Sequence, residues 1–212
     1  MGFLSGIFKR ERSRKASVYI GKDGGSYISQ DLKTGIFLEG STEKIRDRIK
    51  ALLAERLLSI GEEDAKGEIR RILEEVNTEL HSQGEEVSLI AFHQLEKYIA
   101  LVHIGVSRAY ILRENEIIQI TEDDTQGWQL LKSGLMDEDK LRESALGRMP
   151  TKLLGRSSRV QVNTGEYYFT EEERLLLLSG EKALKDGDEK IWDTFSTSNY
   201  EELEGDYLLK IL

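Results

Sequence analysis

Cysteine is absent from the 212 residues, and proline occurs once. Without cysteine there is no disulfide, thiolate metal site or cysteine nucleophile, and the composition suits a reducing compartment, so a cytoplasmic location is expected. Long apolar runs are missing as well. The longest, Leu175 to Leu178, has the size of a buried strand, far short of the roughly 20 residues that span a bilayer. Basic charge is in deficit, with 30 Lys and Arg against 39 Asp and Glu and a net charge of -9, so nucleic acid is not an expected partner. No G-x-S-x-G nucleophile elbow occurs. The glycine-rich stretch Gly21-Lys22-Asp23-Gly24-Gly25 lacks the spacing and the Lys-Ser/Thr ending of a phosphate loop and reads as a tight hairpin turn.

What remains describes a folded domain: 39% hydrophobic and 33% charged residues, in a chain long enough for one sizeable core. The acidic balance is interrupted only at the N-terminus. There the apolar stretch Gly2 to Phe8 precedes Lys9, Arg10, Arg12, Arg14 and Lys15. A basic segment beside an apolar one can touch an anionic membrane surface, although seven apolar residues hold weakly and a signal peptide would place its charge first. Residues 1–15 are therefore read as a tail or docking segment, and 16–212 as a single domain.

Two amphipathic helices are the clearest periodic signal. Thr42 caps a segment in which Ile45, Ile49, Leu52, Leu53 and Leu57 share a face, and Ile69, Ile72, Leu73, Val76 and Leu80 repeat the spacing. Their charged outer faces need no ligand to explain them. Strands are expected at 17–20, 26–29, 35–38, 87–92, 98–104, 109–113, 117–120, 159–163, 174–179 and 207–212. The four from 87 to 120 are joined by short turns and read as an antiparallel meander, because a parallel crossover needs a dozen or more residues. A further helical stretch holds Trp128, Leu130 and Leu131, then Leu141. Helices packed on antiparallel sheet give an α+β class.

The order of these segments carries a resemblance. Val102-His103-Ile104-Gly105-Val106-Ser107-Arg108-Ala109-Tyr110 resembles the stretch A-N-x-G-D-S-R-A-Y of the type 2C, metal-dependent serine/threonine protein phosphatases. Thr121-Glu122-Asp123-Asp124 is similar to that family's L-T-x-D-H, Leu130 to Gly134 to its L-V-x-x-G, and Leu153-Leu154-Gly155 to its x-A-L-G. Leu175 to Ser179 is similar to the start of L-L-L-C-S-D-G, and Asp206-Tyr207 stands where D-N-x-T ends the family pattern. The short chain looks most like bacterial members, including the stage II sporulation E type. The resemblance implies a four-layer α-β-β-α sandwich of two antiparallel sheets flanked by helices. It also implies a two-ion Mn or Mg centre whose activated water attacks a phosphoserine or phosphothreonine.

The departures fall on the ligands. D-G-x-G-G becomes Glu39-Gly40-Ser41-Thr42, the aspartate of G-D-S-R becomes Val106, and S-D-G becomes Ser179-Gly180-Glu181. The metal positions that the resemblance still supports are Glu39, the Gly40 carbonyl and Asp206, read as remnants, and no catalytic residue is assigned. The expectation is a pseudophosphatase that needs no cofactor and binds a protein partner or phosphoprotein in bacterial-type signalling. The alternatives are an active Mn- or Mg-dependent phosphatase with a site rebuilt around Asp23, Asp31 or Glu181, and a membrane-docked interaction module. Read without the resemblance, Glu39 and Asp206 are polar residues at strand ends, Ser107 and Arg108 serve a turn, and His81, His93 and His103 are structural, the last two on neighbouring strands that could bring them face to face.

Overall fold

A computed structural model describes residues 18–20, 25–57, 59–61, 63–170, 173–196 and 207–212. The N-terminal segment 1–15, Asp23 and Asp206 lie outside the described residues. Among those described, no helix is long and apolar enough to cross a membrane.

Among the described residues ten strands form two antiparallel sheets. One contains, in spatial order, β1 (Val18–Ile20), β10 (Tyr207–Ile211), β9 (Arg174–Leu178), β6 (Arg108–Arg113) and β7 (Glu116–Gln119). The other contains β2 (Ser26–Ile28), β3 (Thr34–Glu39), β4 (Ser88–Gln94), β5 (Tyr98–Ile104) and β8 (Asn163–Tyr168). Helices α1 (Glu43–Leu57) and α2 (Ala65–Ser82) cover the second sheet, and α5 (Gly180–Ser196) covers the first. The short helices α3 (Gln126–Lys132) and α4 (Glu138–Glu143) and a 3-10 turn (Ala145–Arg148) link β7 towards β8.

Strand alternation builds three hydrophobic layers from this order. Phe37, Ile90, Phe92, Leu101, Ile111 and Leu177 fill the space between the sheets. Their neighbours Ile36, Leu38, Leu89, Ala91 and Val102 turn the other way, onto Ile49, Leu53, Ile69 and Leu73 of α1 and α2. Tyr110, Leu112, Leu176 and Leu178 meet Ala183, Ile191 and Phe195 of α5. The expected α-β-β-α sandwich is the observed architecture.

Two expectations need correction, and one element was missed. The meander breaks between β5 and β6, which belong to different sheets. The link Gly105-Val106-Ser107 crosses the sandwich, and Gly105 takes a left-handed φ of 104° that a side chain would resist. The strand placed at 159–163 starts only at Asn163. The chain before it is held away from the sheet by Asn77, which donates to the Ser157 carbonyl at 2.9 Å and accepts the Gly155 N–H at 2.7 Å. Helix α5 was not anticipated: its apolar stripe is thin, and it is kinked at Gly187, where φ is 71°.

Candidate functional site

At one end of the sandwich β3 finishes, the β5–β6 link crosses over, and β9 hands on to α5. Along β3, Phe37 faces the space between the sheets and Leu38 faces the helices, so Glu39 falls on the inter-sheet side. Its Oε2 accepts the Ser107 hydroxyl at 2.8 Å and the Gly180 N–H at 2.9 Å. The Gly180 amide is among the first-turn donors of α5 that have no partner within the helix, and a carboxylate suits that end of the helix dipole.

Ser88, at the start of β4, is the hub beneath this contact. Its Oγ lies 2.8 Å from Ser107 Oγ and accepts the amides of Val106 and Ser107 at 3.0 and 3.1 Å. A Cβ at Gly105 would come within 2.5 Å of that Oγ, so glycine is needed there for space as well as for its backbone angle. A Cβ at Gly180 would overlap the Val106 carbonyl oxygen. Ser88 was missed in sequence, since no pattern marks a serine that collects loop amides.

Two adjoining cavities, of about 450 and 170 Å³, share Glu39, Val106 and Arg148. The larger also meets Gly40 and Ser88, and the smaller Gly180, Glu181 and Leu184. The positions singled out by resemblance, 39, 40, 106, 180 and 181, thus converge. Asp31 does not join them: it sits at the opposite end of β3, accepting from Ser29 Oγ at 2.5 Å and the Lys33 N–H at 3.0 Å, which hold its carboxyl below the usual range. Nor do the histidines face one another. His93 is opposite Ala100 and His103 opposite Ile90; His93 Nδ1 pairs with Thr34 Oγ1 at 2.8 Å, and His103 Nε2 with the Glu122 carbonyl at 2.9 Å. Burial pushes the His103 imidazole below its ordinary value.

Beside the crossover, Arg108 does more than serve a turn. Its Nε and Nη2 grip the Asp123 carboxylate at 2.9 and 2.7 Å, and its Nη1 lies 3.3 Å from Tyr110 Oη, all in the interior. Burial disfavours the guanidinium charge, but Tyr110 and Asp123 together outweigh it and hold Arg108 firmly protonated. Arg148 is a cation that sequence reasoning passed over. It reaches the cavities from the 3-10 turn, braced by the Ser144 and Arg142 carbonyls at 3.3 and 3.1 Å.

A pair of divalent cations needs several free oxygen ligands. Here Glu39 Oε2 is already an acceptor twice, the Gly40 carbonyl faces the Arg46 guanidinium at 3.4 Å, the Val106 side chain carries no oxygen and Gly180 has no side chain. Among the described residues no three His, Asp or Glu side chains converge as a metal-binding group. The described residues do not fit a two-metal centre.

No model of a known protein family matches the chain. Against individual proteins it is 22% identical over 175 residues to the serine/threonine phosphatase stp of Listeria welshimeri, which covers 82% of this chain and 69% of that protein. It is 40% identical over 60 residues to the serine/threonine protein phosphatase PstP of Mycobacterium tuberculosis, 28% of this chain and 11% of the other. In three dimensions it matches the crystal structure of M. tuberculosis PstP/Ppp with a TM-score of 0.76 at 17% identity, covering 93% and 98% of the two chains. The catalytic domain of PstP in complex with two manganese ions gives a TM-score of 0.74 at 18% identity, over 92% and 96%. These relatives and structural neighbours are type 2C bacterial serine/threonine phosphatases, and the chain has their fold.

Proposed function

We propose that this protein is a type 2C-like pseudophosphatase, a phosphatase fold that binds a protein or phosphoprotein partner in bacterial-type signalling without efficient hydrolysis. The reading rests on the Glu39 carboxylate, whose Oε2 accepts Ser107 Oγ and the Gly180 N–H where a two-ion centre would need a free ligand. The lack of a side-chain oxygen at Val106 and Gly180 supports it further, since a metal-activated water needs oxygen ligands to hold the ions that activate it. The remaining metal candidates, Glu39, Gly40 and Asp206, are then remnants.

A second reading, an active Mn- or Mg-dependent phosphatase, draws on the likeness to a structure described with two manganese ions. It would use Glu39, the Gly40 carbonyl and Asp206, together with Asp23 or Glu181, and Glu181 does line the smaller cavity. Docking of residues 1–15 on a membrane surface ranks behind both, since its only support is the apolar and basic sequence.

The deciding experiment is Mn-dependent hydrolysis of an aryl phosphate by the full chain beside Asp206→Ala. Equal rates are expected. A wild-type rate clearly above the variant would replace the pseudophosphatase reading with the active one.

A further inference from the structure

Away from this cleft, on the outer face of the β6–β7 hairpin, lies a cavity of about 180 Å³ closed over by α3, α4 and α5. One wall is apolar, made by Leu131, Leu141, Ala183 and Leu184. The rest holds two cations and two anions: Arg108, Arg142, Glu138 and Asp188.

The commitments of these four charges differ. Arg108 spends Nε and Nη2 on Asp123, while its Nη1 meets only the Tyr110 hydroxyl. Arg142 gives Nη2 to Asp139 at 2.9 Å, and its Nη1 reaches the cavity over Gly187, where a Cβ would stand 2.5 Å from it. Glu138 and Asp188 stand exposed at the mouth of the cavity, and among the described residues their side chains make no hydrogen bond or ion pair. Partial desolvation raises the Asp188 carboxyl above its ordinary range, Glu138 adds to this, and the two arginines act through space in the opposite sense. A simple anion would meet the two carboxylates and a simple cation the two guanidinium groups; a zwitterion satisfies both pairs.

We propose that this cavity binds a free α-amino acid with a compact aliphatic side chain, its carboxylate on Arg108 and Arg142, its ammonium on Asp188 and Glu138. The side chain lies on the leucine wall. The volume sets the size: an apolar cavity of about 150 Å³ takes benzene, so this one, at about 180 Å³, holds a molecule of about seven non-hydrogen atoms, the size of alanine or 2-aminobutyrate. Leu184 lines both this cavity and the smaller cavity of the Glu39 site, so an occupant would sit one side chain from the cleft. The inference does not depend on whether the cleft hydrolyses phosphate.

The test is calorimetric titration of the full chain with L-alanine and L-2-aminobutyrate, beside propylamine, which lacks the carboxylate, and butanoate, which lacks the ammonium. Saturable binding of at least one amino acid is expected, at least tenfold weaker for both analogues and for the surface variants Asp188→Asn and Arg142→Gln. Three results would each overturn the proposal: no saturable binding by either amino acid, an analogue that binds as tightly, or binding unchanged in both variants.

Discussion

Glu39, the last residue of β3, accepts the main-chain N–H of Gly180, the first residue of α5, at 2.9 Å. One carboxylate thereby ties one sheet to the helix that covers the other, with Ser107 as its second donor. Glu39→Ala leaves the Gly180 amide and the Ser107 hydroxyl short of an acceptor, a loss of about 1–3 kcal/mol for a buried donor. Glu39→Gln keeps an acceptor oxygen without the charge and is expected to lose less than Glu39→Ala. Urea unfolding of the three proteins checks the order; an alanine variant as stable as wild type would mean that the contact is incidental.

Gly180 is equally constrained from the other side. Because a Cβ there overlaps the Val106 carbonyl oxygen, placing aspartate at this position requires the crossover link to shift. Gly180→Asp, alone or with Val106→Asp, is expected to lower stability by about 1–3 kcal/mol, the usual cost of overpacking. Neither variant is expected to acquire Mn binding by calorimetry. Tight, stoichiometric Mn uptake by the double variant would show that two carboxylates at these positions suffice to hold the ion beside Glu39.

Much of this arrangement was legible in the chain. The 3.6-residue spacing of Ile49, Leu53, Ile69 and Leu73 located α1 and α2, and runs of Val, Ile and Leu located β4, β5, β6 and β9. Positions 39, 106 and 180 were marked by resemblance, and the fold brings them to one cavity. What stayed hidden is non-local. Nothing between Ile104 and Arg108 announces a change of sheet, because a short link serves a hairpin or a crossover equally well. Helix α5 was obscured by the kink at Gly187, which divides its apolar stripe. The carboxylate for Arg108 comes from Asp123, fifteen residues away, and no spacing rule pairs them.

That pair supports a third prediction. With side chains 7% and 1% exposed, Arg108 and Asp123 hold each other's charge in the interior. Removing one partner strands the other, so Asp123→Ala is expected to destabilise by about 3–5 kcal/mol. The double variant Arg108→Met/Asp123→Leu, which strands no charge, should recover most of that loss in thermal unfolding. If the double variant were as unstable as the single one, the loss would come from packing and not from the abandoned guanidinium.

Lys210 supplies the pH dependence. On β10 its neighbour Leu208 faces the inter-sheet core, and Lys210 shares that side of the strand, only 1% exposed, with Nζ donating to the Leu32 carbonyl at 2.6 Å. Burial lowers its pKa to about 8, and the through-space pull of Asp31 only partly offsets this. In the unfolded chain the lysine titrates near its ordinary value of about 10.4. Between these two values the unfolded state binds the extra proton, so stability rises with pH across the window, and below it the folded state bears the full cost of a buried charge. The difference of about 2.4 units corresponds to about 3 kcal/mol. Lys210→Met removes both the charge and the slope. Its stability minus that of wild type is therefore expected to fall by up to that amount as the pH of urea unfolding is raised from 7 to 10, and the subtraction cancels groups that titrate alike in both proteins. A difference that stays flat over this range would mean that Lys210 keeps its ordinary pKa in the fold, with its ammonium solvated or paired.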